Sequence, residues 1–315
     1  MSARLHDQQS GIALITALVL VAIATVLAAT VAFSSVMASR RASAIYGADQ
    51  ALLAAEGAEA MAAYALKQSA LPPPGPDSLD QAWAQPYGPY ELAPGVTLEY
   101  AQIEDQTGKF NINNLADGGK SDPVSMQQFQ NLLSALGLET KWAGILADWI
   151  DSDNNPNDPE GAEDSVYLSQ MPSYRAANMP VSSISELLAL PGFGRDRYNR
   201  LAPYISALPA GTPINICTAS GLLLDAISGK SEYSIDPASL ANSRQEQGCF
   251  PSMAVFMASV SQGQQGALQS RLTTGSAYYR LRTTITIGTA RFNLYSLLYV
   301  SGNGIRPILR TFGTE

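Results

Sequence analysis

Histidine is nearly missing from this chain: one residue, His6, among 315. It lies in a short polar leader ahead of a long apolar run, so removal of that leader would strip the protein of imidazole for general-base catalysis or metal ligation. Cysteine is equally scarce. Cys217 and Cys249 stand 32 positions apart, far from C-x-x-C spacing, and in an oxidising compartment such a pair reads as a disulfide staple contributing roughly 3 to 4 kcal/mol on a chain-entropy estimate. No G-x-S-x-G elbow occurs. GGKS at Gly118 and SGKS at Ser228 lack the required glycine five places before their GK glycine, where Asn114 and Leu224 stand instead, so both read as loops. Enzymatic activity is not expected. Basic residues are also in deficit, 19 against 27 acidic for a net charge of −8, so no nucleic-acid partner is expected, although a local basic patch stays open.

The longest absence is of charge. From Ile12 to Ser39, 28 positions hold no ionisable side chain, enough helix at ~1.5 Å per residue to cross a hydrocarbon core of about 30 Å. Proline is missing from the same region and beyond it to LPPPGP at 71–76. One helix is therefore expected from Ile12 to about Gln68, its membrane part about 12–37, stopped by the prolines. Arg4 before the span and Arg40 and Arg41 after it leave orientation undecided by charge. Ala48, Ala51, Ala54, Ala55, Gly57, Ala58 and Ala62 in the upper part suit either close helix approach or simple helix propensity.

Beyond the prolines, Val96–Ile103 reads as a strand and Lys109–Ile112 as a second, short one. Ala277–Ile287, Arg291–Val300 and Ile305–Phe312, separated by glycine-containing turns, read as an antiparallel meander. Some 150 residues of helical pattern lie between, in SMQQFQNLLSALGL, KWAGILADWI, SSISELLALPGF, TASGLLLDAI and PSMAVFMASV. The expected fold class is α+β: a long N-terminal transmembrane helix, an antiparallel sheet and a large inserted all-α domain. The expected divisions are a leader at 1–11, the helix at 12–68, a first part of the α/β core at 69–118, the insertion at 119–270 and C-terminal strands at 271–315.

One loop lacks cations altogether. Between Asp148 and Asp164, seven carboxylates (Asp148, Asp151, Asp153, Asp158, Glu160, Glu163, Asp164) face no lysine or arginine, with Asn154, Asn155, Pro156, Asn157, Pro159 and Gly161 breaking regular structure. Mutual repulsion would be relieved by a hard, oxygen-seeking cation, for which calcium is the natural candidate outside a cell; a merely solvated acidic loop is the alternative. Asp151, Asp153 and Asn155 copy the first EF-hand spacings, but Pro156 stands for the turn glycine and Ala162 for the terminal glutamate, so this is no EF-hand.

The start of the chain resembles a type IV prepilin or pseudopilin, with Ser10-Gly11-Ile12 ahead of the apolar run; an ordinary signal anchor is the alternative. Four ordered segments, DQTGKFNINNL (105–115), LADWIDSDNNPNDPEGAEDSVY (146–167), PSYRAANMPVSSISELLALPGF (172–193) and TPINICTA (212–219), resemble the general secretion pathway protein K family, minor pseudopilins of type II secretion. The resemblance implies a pilin-like sheet and cleavage between Gly11 and Ile12 by a prepilin peptidase, with N-methylation of Ile12. It further implies a single-pass bacterial inner-membrane protein with its bulk in the periplasm. It implies a role capping the pseudopilus tip, seeding its assembly and supporting protein export. The implied partners are the I- and J-type minor pseudopilins, with the H-type and the major pseudopilin as further candidates. Calcium ligands are implied among Asp151, Asp153, Asn155, Asp158, Glu163 and Asp164. Thr16 stands where most pilin-like subunits carry a fifth-position glutamate, whose partner is the subunit ahead; a tip subunit has none ahead, and drift is the competing explanation. A second function stays open: ELLALPGFGRDRYNRLAPYI (186–205) looks like a helix-hairpin-helix, which would suit a membrane-anchored DNA receptor of the competence type.

Overall fold

The computed structural model describes residues 4–69, 75–117, 120–157, 160–245, 247–302 and 304–313, of which 4–11 and 117 by backbone only. Helix α1 spans Arg4–Ser69, reaching eight residues further back than the apolar run, because nothing in the leader breaks a helix. It is one helix long and apolar enough to cross a membrane. From Ile12 to Tyr46 it is exposed throughout, Ile12 at 65% and Leu20 at 67%. Thr16, Thr25, Thr30 and Ser34 there each donate to the carbonyl three residues back, so these hydroxyls are satisfied within the helix.

The upper half of α1 is different: Ala51, Ala55, Ala58, Ala62 and Leu66 recur at i, i+3/i+4 and are buried, forming a stripe against a sheet. Four of the small residues offered for helix–helix packing are thus spent on the chain's own sheet, while Ala48 and Gly57 remain exposed. The sheet has five strands, β1 (Tyr90–Ala93), β2 (Val96–Asp105), β3 (Tyr278–Ile287), β4 (Ala290–Ser301) and β5 (Gly304–Phe312), antiparallel and in chain order across the sheet. Alternate residues Leu281, Ile285, Leu294 and Leu298 meet α1, with Trp83 fully buried beside them and edge-on to Tyr279 at 5.1 Å. Truncating Trp83 would cost about 3–5 kcal/mol.

Between β2 and β3 a second core assembles from Phe110 to Leu272. Its helices are short: α2 (Pro123–Ala135), α3 (Trp142–Ile150), α4 (Asp164–Tyr167), α5 (Gly194–Leu201), α6 (Gly221–Ser228), α7 (Pro237–Ser243), α8 (Met253–Ser259) and α9 (Gln262–Leu268). Two parallel pairings of two residues each, Phe110–Asn111 with Ile205–Ser206 and Ile214–Asn215 with Leu272–Thr273, sit among them. The stretch Ile184–Ala189 is a 3-10 helix rather than the α-helix its leucines suggested; the Pro191-Gly192 step directly after it leaves no room for α-helical propagation. Both ends of this region close on one buried group. Asp105 accepts from Thr107 N (2.7 Å), Thr218 Oγ1 and Ser276 Oγ, and Asn215 bridges Ser276 Oγ to Asp77 O. Burial raises the Asp105 carboxyl above the usual range, the hydroxyl and amide donors opposing that rise.

Candidate metal centre

Helix α3 ends in acids. Asp148 and Asp151, one turn apart, lie at its C-terminus, where the helix dipole disfavours negative charge. Asp148 is fully buried and compensated: Asn157 N donates to both its oxygens (3.1 and 3.2 Å) and Ala162 N to Oδ2 (2.7 Å). The loop wraps this carboxylate so closely that a Cβ at Gly161 would lie 2.2 Å from Asp148 Oδ2 and 2.3 Å from Asn157 N, so only glycine fits. Asp148 therefore shapes the loop as an inner peg.

What the peg presents is a group short of donors. Carboxylate oxygens of Asp151, Asp153 and Glu163 lie within 4.8 Å of one another. Asp151 and Glu163 are 4% and 5% exposed, and Asp151 Oδ1 and both Glu163 oxygens have no hydrogen-bond partner. Burial, then Asp153 and Asp148, push the Asp151 carboxyl up to about 6. Burial, then Asp148, Asp151, Asp153 and Asp164, push Glu163 up to about 7. Unpaired buried carboxylates are costly. Two oxygens on one calcium ion at ~2.4 Å each stand at most ~4.8 Å apart, so a shared hard cation fits this group.

Of the six expected ligands, the fold brings together Asp151, Asp153 and Glu163. Asn155 supplies its backbone N–H to Asp153 Oδ1 (2.7 Å). Asp164, next in sequence to Glu163, is drawn elsewhere: it accepts from Ala176 N (3.1 Å) and lies 3.7 Å from Arg175. The first turn of α4 points neighbouring side chains apart. Asp158 lies outside the described residues. Asn178, unmarked in the sequence, takes φ +47 and ties the loop down, Nδ2 donating to Asp153 O (2.9 Å) and Asn154 Oδ1 (3.0 Å), with its buried Oδ1 left without a donor. Only its tolerance of left-handed backbone could have flagged it.

The same region holds a contrasting acid. Asp225 on α6 accepts from the backbone N–H of Glu232, Tyr233 and Ser234 and from Ser234 Oγ, at 2.5–3.0 Å. Burial alone would raise it, but these donors prevail and hold it below the usual carboxylate range.

The other marked residues are placed as follows. Cys217 and Cys249, both buried, are joined with Cα atoms 4.5 Å apart. Ile12 is an exposed helical residue, while the side-chain surroundings of the leader through Gly11 lie outside the described residues. In the hairpin at 186–205, Gly192 and Gly194 take φ +79 and +75. Phe193 between them is buried edge-on against Trp142 at 5.0 Å, and Arg197 pairs with Glu139 at 2.7 Å. The ring and this cation are used inside the fold.

Family models match the chain in two places: PilX N-terminal over residues 10–58, and type II secretion system protein K over residues 108–210. The type II secretion system protein K of Pseudomonas aeruginosa is 36% identical over 97% of this chain and 93% of its own length. That of Klebsiella pneumoniae is 31% identical over 98% of both, and that of Pectobacterium carotovorum 30% over 98% of both. Among solved structures, a chain of the GspK-GspI-GspJ complex from enterotoxigenic Escherichia coli superposes with a TM-score of 0.76 at 27% identity, covering 87% of this chain and all of that one.

Proposed function

The chain belongs to the type II secretion system protein K family, and from that premise we propose that it is a minor pseudopilin which joins the I- and J-type minor subunits and caps the tip of the pseudopilus. Its role is mechanical, in a secretion apparatus, with no catalytic step assigned. The leader is removed between Gly11 and Ile12 by a prepilin peptidase, Ile12 becomes the N-methylated first residue, and the retained span anchors the subunit in the inner membrane with its bulk in the periplasm.

The observation that carries this reading is the likeness to a chain solved together with GspI and GspJ. The shape supports it. One slender helix bears a sheet, and β2 opens into a region of 172 residues, 106 to 277, before β3 resumes. A head so enlarged on one side suits the free end of a filament better than its shaft. The span supports it too, since it holds no carboxylate in need of a partner ahead and the hydroxyls of Thr16, Thr25, Thr30 and Ser34 are bonded internally. Calcium would be held by Asp151, Asp153 and Glu163, with Asn178 tying the backbone of Asp153. When bound it would offset most of the charge of these three carboxylates and fasten α3 to α4, a structural role.

Co-expression in membranes with both minor partners, then with each omitted, tests the assignment. A complex containing one copy of each is expected from detergent extracts. Recovery of this chain alone beside a formed I–J pair would sink it.

A further inference from the structure

The sheet sits low on its helix. A Cβ at Gly47 would lie 3.8 Å from Phe292 Cζ, and four residues further along β4 Ser296 donates to Glu59 Oε1. Strand β4 and helix α1 therefore ascend together, and the chain running back from Phe292 descends toward the uncharged span. Four strand residues, from Phe292 to Gly288, cover about 13 Å. The eight helical residues from Gly47 down to Ser39 cover about 12 Å. The β3–β4 turn thus comes level with the end of the apolar run.

That level is basic. Arg40 and Arg41 on α1 and Arg291 beside the turn are exposed, as are all of residues 288–291. The β1–β2 turn joins the same end, Gly288 N donating to Gly95 O at 3.1 Å. Between residues 8 and 48 there is no acid, and residues 271–313 hold six arginines and no aspartate or glutamate. Three of those six are paired within the fold, Arg271 with Asp122, Arg280 with Glu104 and Arg310 with Glu59. Arg282 and Arg306 lie over Tyr295 and Tyr299. Among the described residues no carboxylate pairs with Arg40, Arg41 or Arg291. Asp49 and Glu91, the acids nearest on these elements, are themselves exposed.

We propose that Arg40, Arg41 and Arg291 form a collar that seats the lower edge of the sheet on anionic phospholipid headgroups of the leaflet from which α1 emerges. The chain carries a net charge of −8, so its bulk as a whole is repelled from such a surface while this end is attracted, which biases the tilt of the head. The collar is continuous with the apolar span, so the lipid that reaches it is the lipid surrounding the helix. The inference rests on the anchored reading given above.

Its test uses the full chain reconstituted into vesicles of phosphatidylcholine alone or mixed with phosphatidylglycerol. The probe is Thr289→Trp, with a headgroup-attached quencher in the lipid; the native Trp83, Trp142 and Trp149 are buried in the fold and give a constant background. Flotation with both vesicle types reports anchoring by itself. Quenching of the introduced tryptophan is expected to be stronger in anionic vesicles and to weaken with salt, each arginine contributing roughly fivefold to the seated-to-unseated ratio. Arg291→Glu and, separately, Arg40→Gln with Arg41→Gln should reduce it, and Arg291→Lys should retain it. Equal quenching in the two vesicle types, or anionic dependence indifferent to these variants, overturns the collar while leaving the anchor intact. Failure to float with either vesicle overturns the anchor and the collar with it.

Discussion

Asp225 and Glu163 are both buried acids in the large helical region, and they are treated in opposite ways. Asp225 meets four donors supplied by three consecutive residues, and its carboxyl is held low. Glu163 meets no donor and two other carboxylates, and is pushed up to about 7. The donors around Asp225 arise from the chain itself, so that loop is complete as folded. The Glu163 loop brings its acids together on the Asp148 peg and leaves Asp151 Oδ1 and both Glu163 oxygens bare, an arrangement that suits a cation. Burial of acid alone does not point to a cation; it is the missing donors that set the Glu163 loop apart.

The largest effect expected from breaking this contrast is on calcium itself. With calcium at about a thousand times its dissociation constant, binding should stabilise the fold by about 4 kcal/mol, a rise of roughly 10 °C in Tm for a region of this size. Asp151→Asn with Glu163→Gln should abolish that rise while leaving the metal-free protein as stable or slightly more so. Calorimetry with and without chelator decides it, and an unchanged Tm in the parent chain removes the metal reading. Asp148→Ala comes next. It unties Asn157 and Ala162 from the loop and should cost about 2–3 kcal/mol, lowering calcium affinity as well. Asp225→Asn places an amide donor among donors and should cost about 2 kcal/mol equally with and without calcium. A calcium-dependent penalty there would erase the distinction between the two loops.

The smallest effect is the most discriminating, because its sign differs between the loops. Asp151 and Glu163 have raised pKa values, so in metal-free protein their ionised forms destabilise the fold. Stability should therefore rise as pH falls from above 7 toward the ordinary carboxylate range, by at most about 1.4 kcal/mol per pH unit for each of the two groups. Asp225 is depressed, so its contribution is full above the ordinary carboxylate pKa and is lost as pH falls through its lower folded value. Calcium affinity should weaken over the same window near 7 to 6 in which metal-free stability rises, since protons and calcium compete for Glu163 and Asp151. Chemical denaturation across pH, with and without chelator, measures both slopes.

Much of this architecture was readable beforehand where residues obey a period. The α1 helix followed from absent prolines and charges, and β2 to β5 from alternation bounded by glycine turns. Strand β1 escaped because Tyr90–Ala93 is four exposed residues between Pro89 and Pro94, paired through β2 rather than by any pattern of its own. The 184–189 segment misled because a leucine stripe does not distinguish α from 3-10 winding over six residues. In the acidic loop, composition showed the concentration of carboxylates but not which of them the fold gathers. Asp164 and Glu163 are equivalent in sequence, and only the start of α4 turns one toward Arg175 and the other inward. Asp148 counted as one more acid, although its role depends on Gly161, 13 positions away. Asn178 joins from a further segment that no local pattern connects.

Strands β2 and β3 are ladder partners separated by residues 106–277. Pairing two strands across an unstructured loop of that length would oppose folding by about 4–5 kcal/mol of closure entropy, and slowly. The Asp105 seam, where Thr218 and Ser276 converge on the last residue of β2, lets the intervening region settle first and deliver β3 to its place. On that order, head before sheet, a substitution that unfolds the head would also leave β2 without its ladder partner.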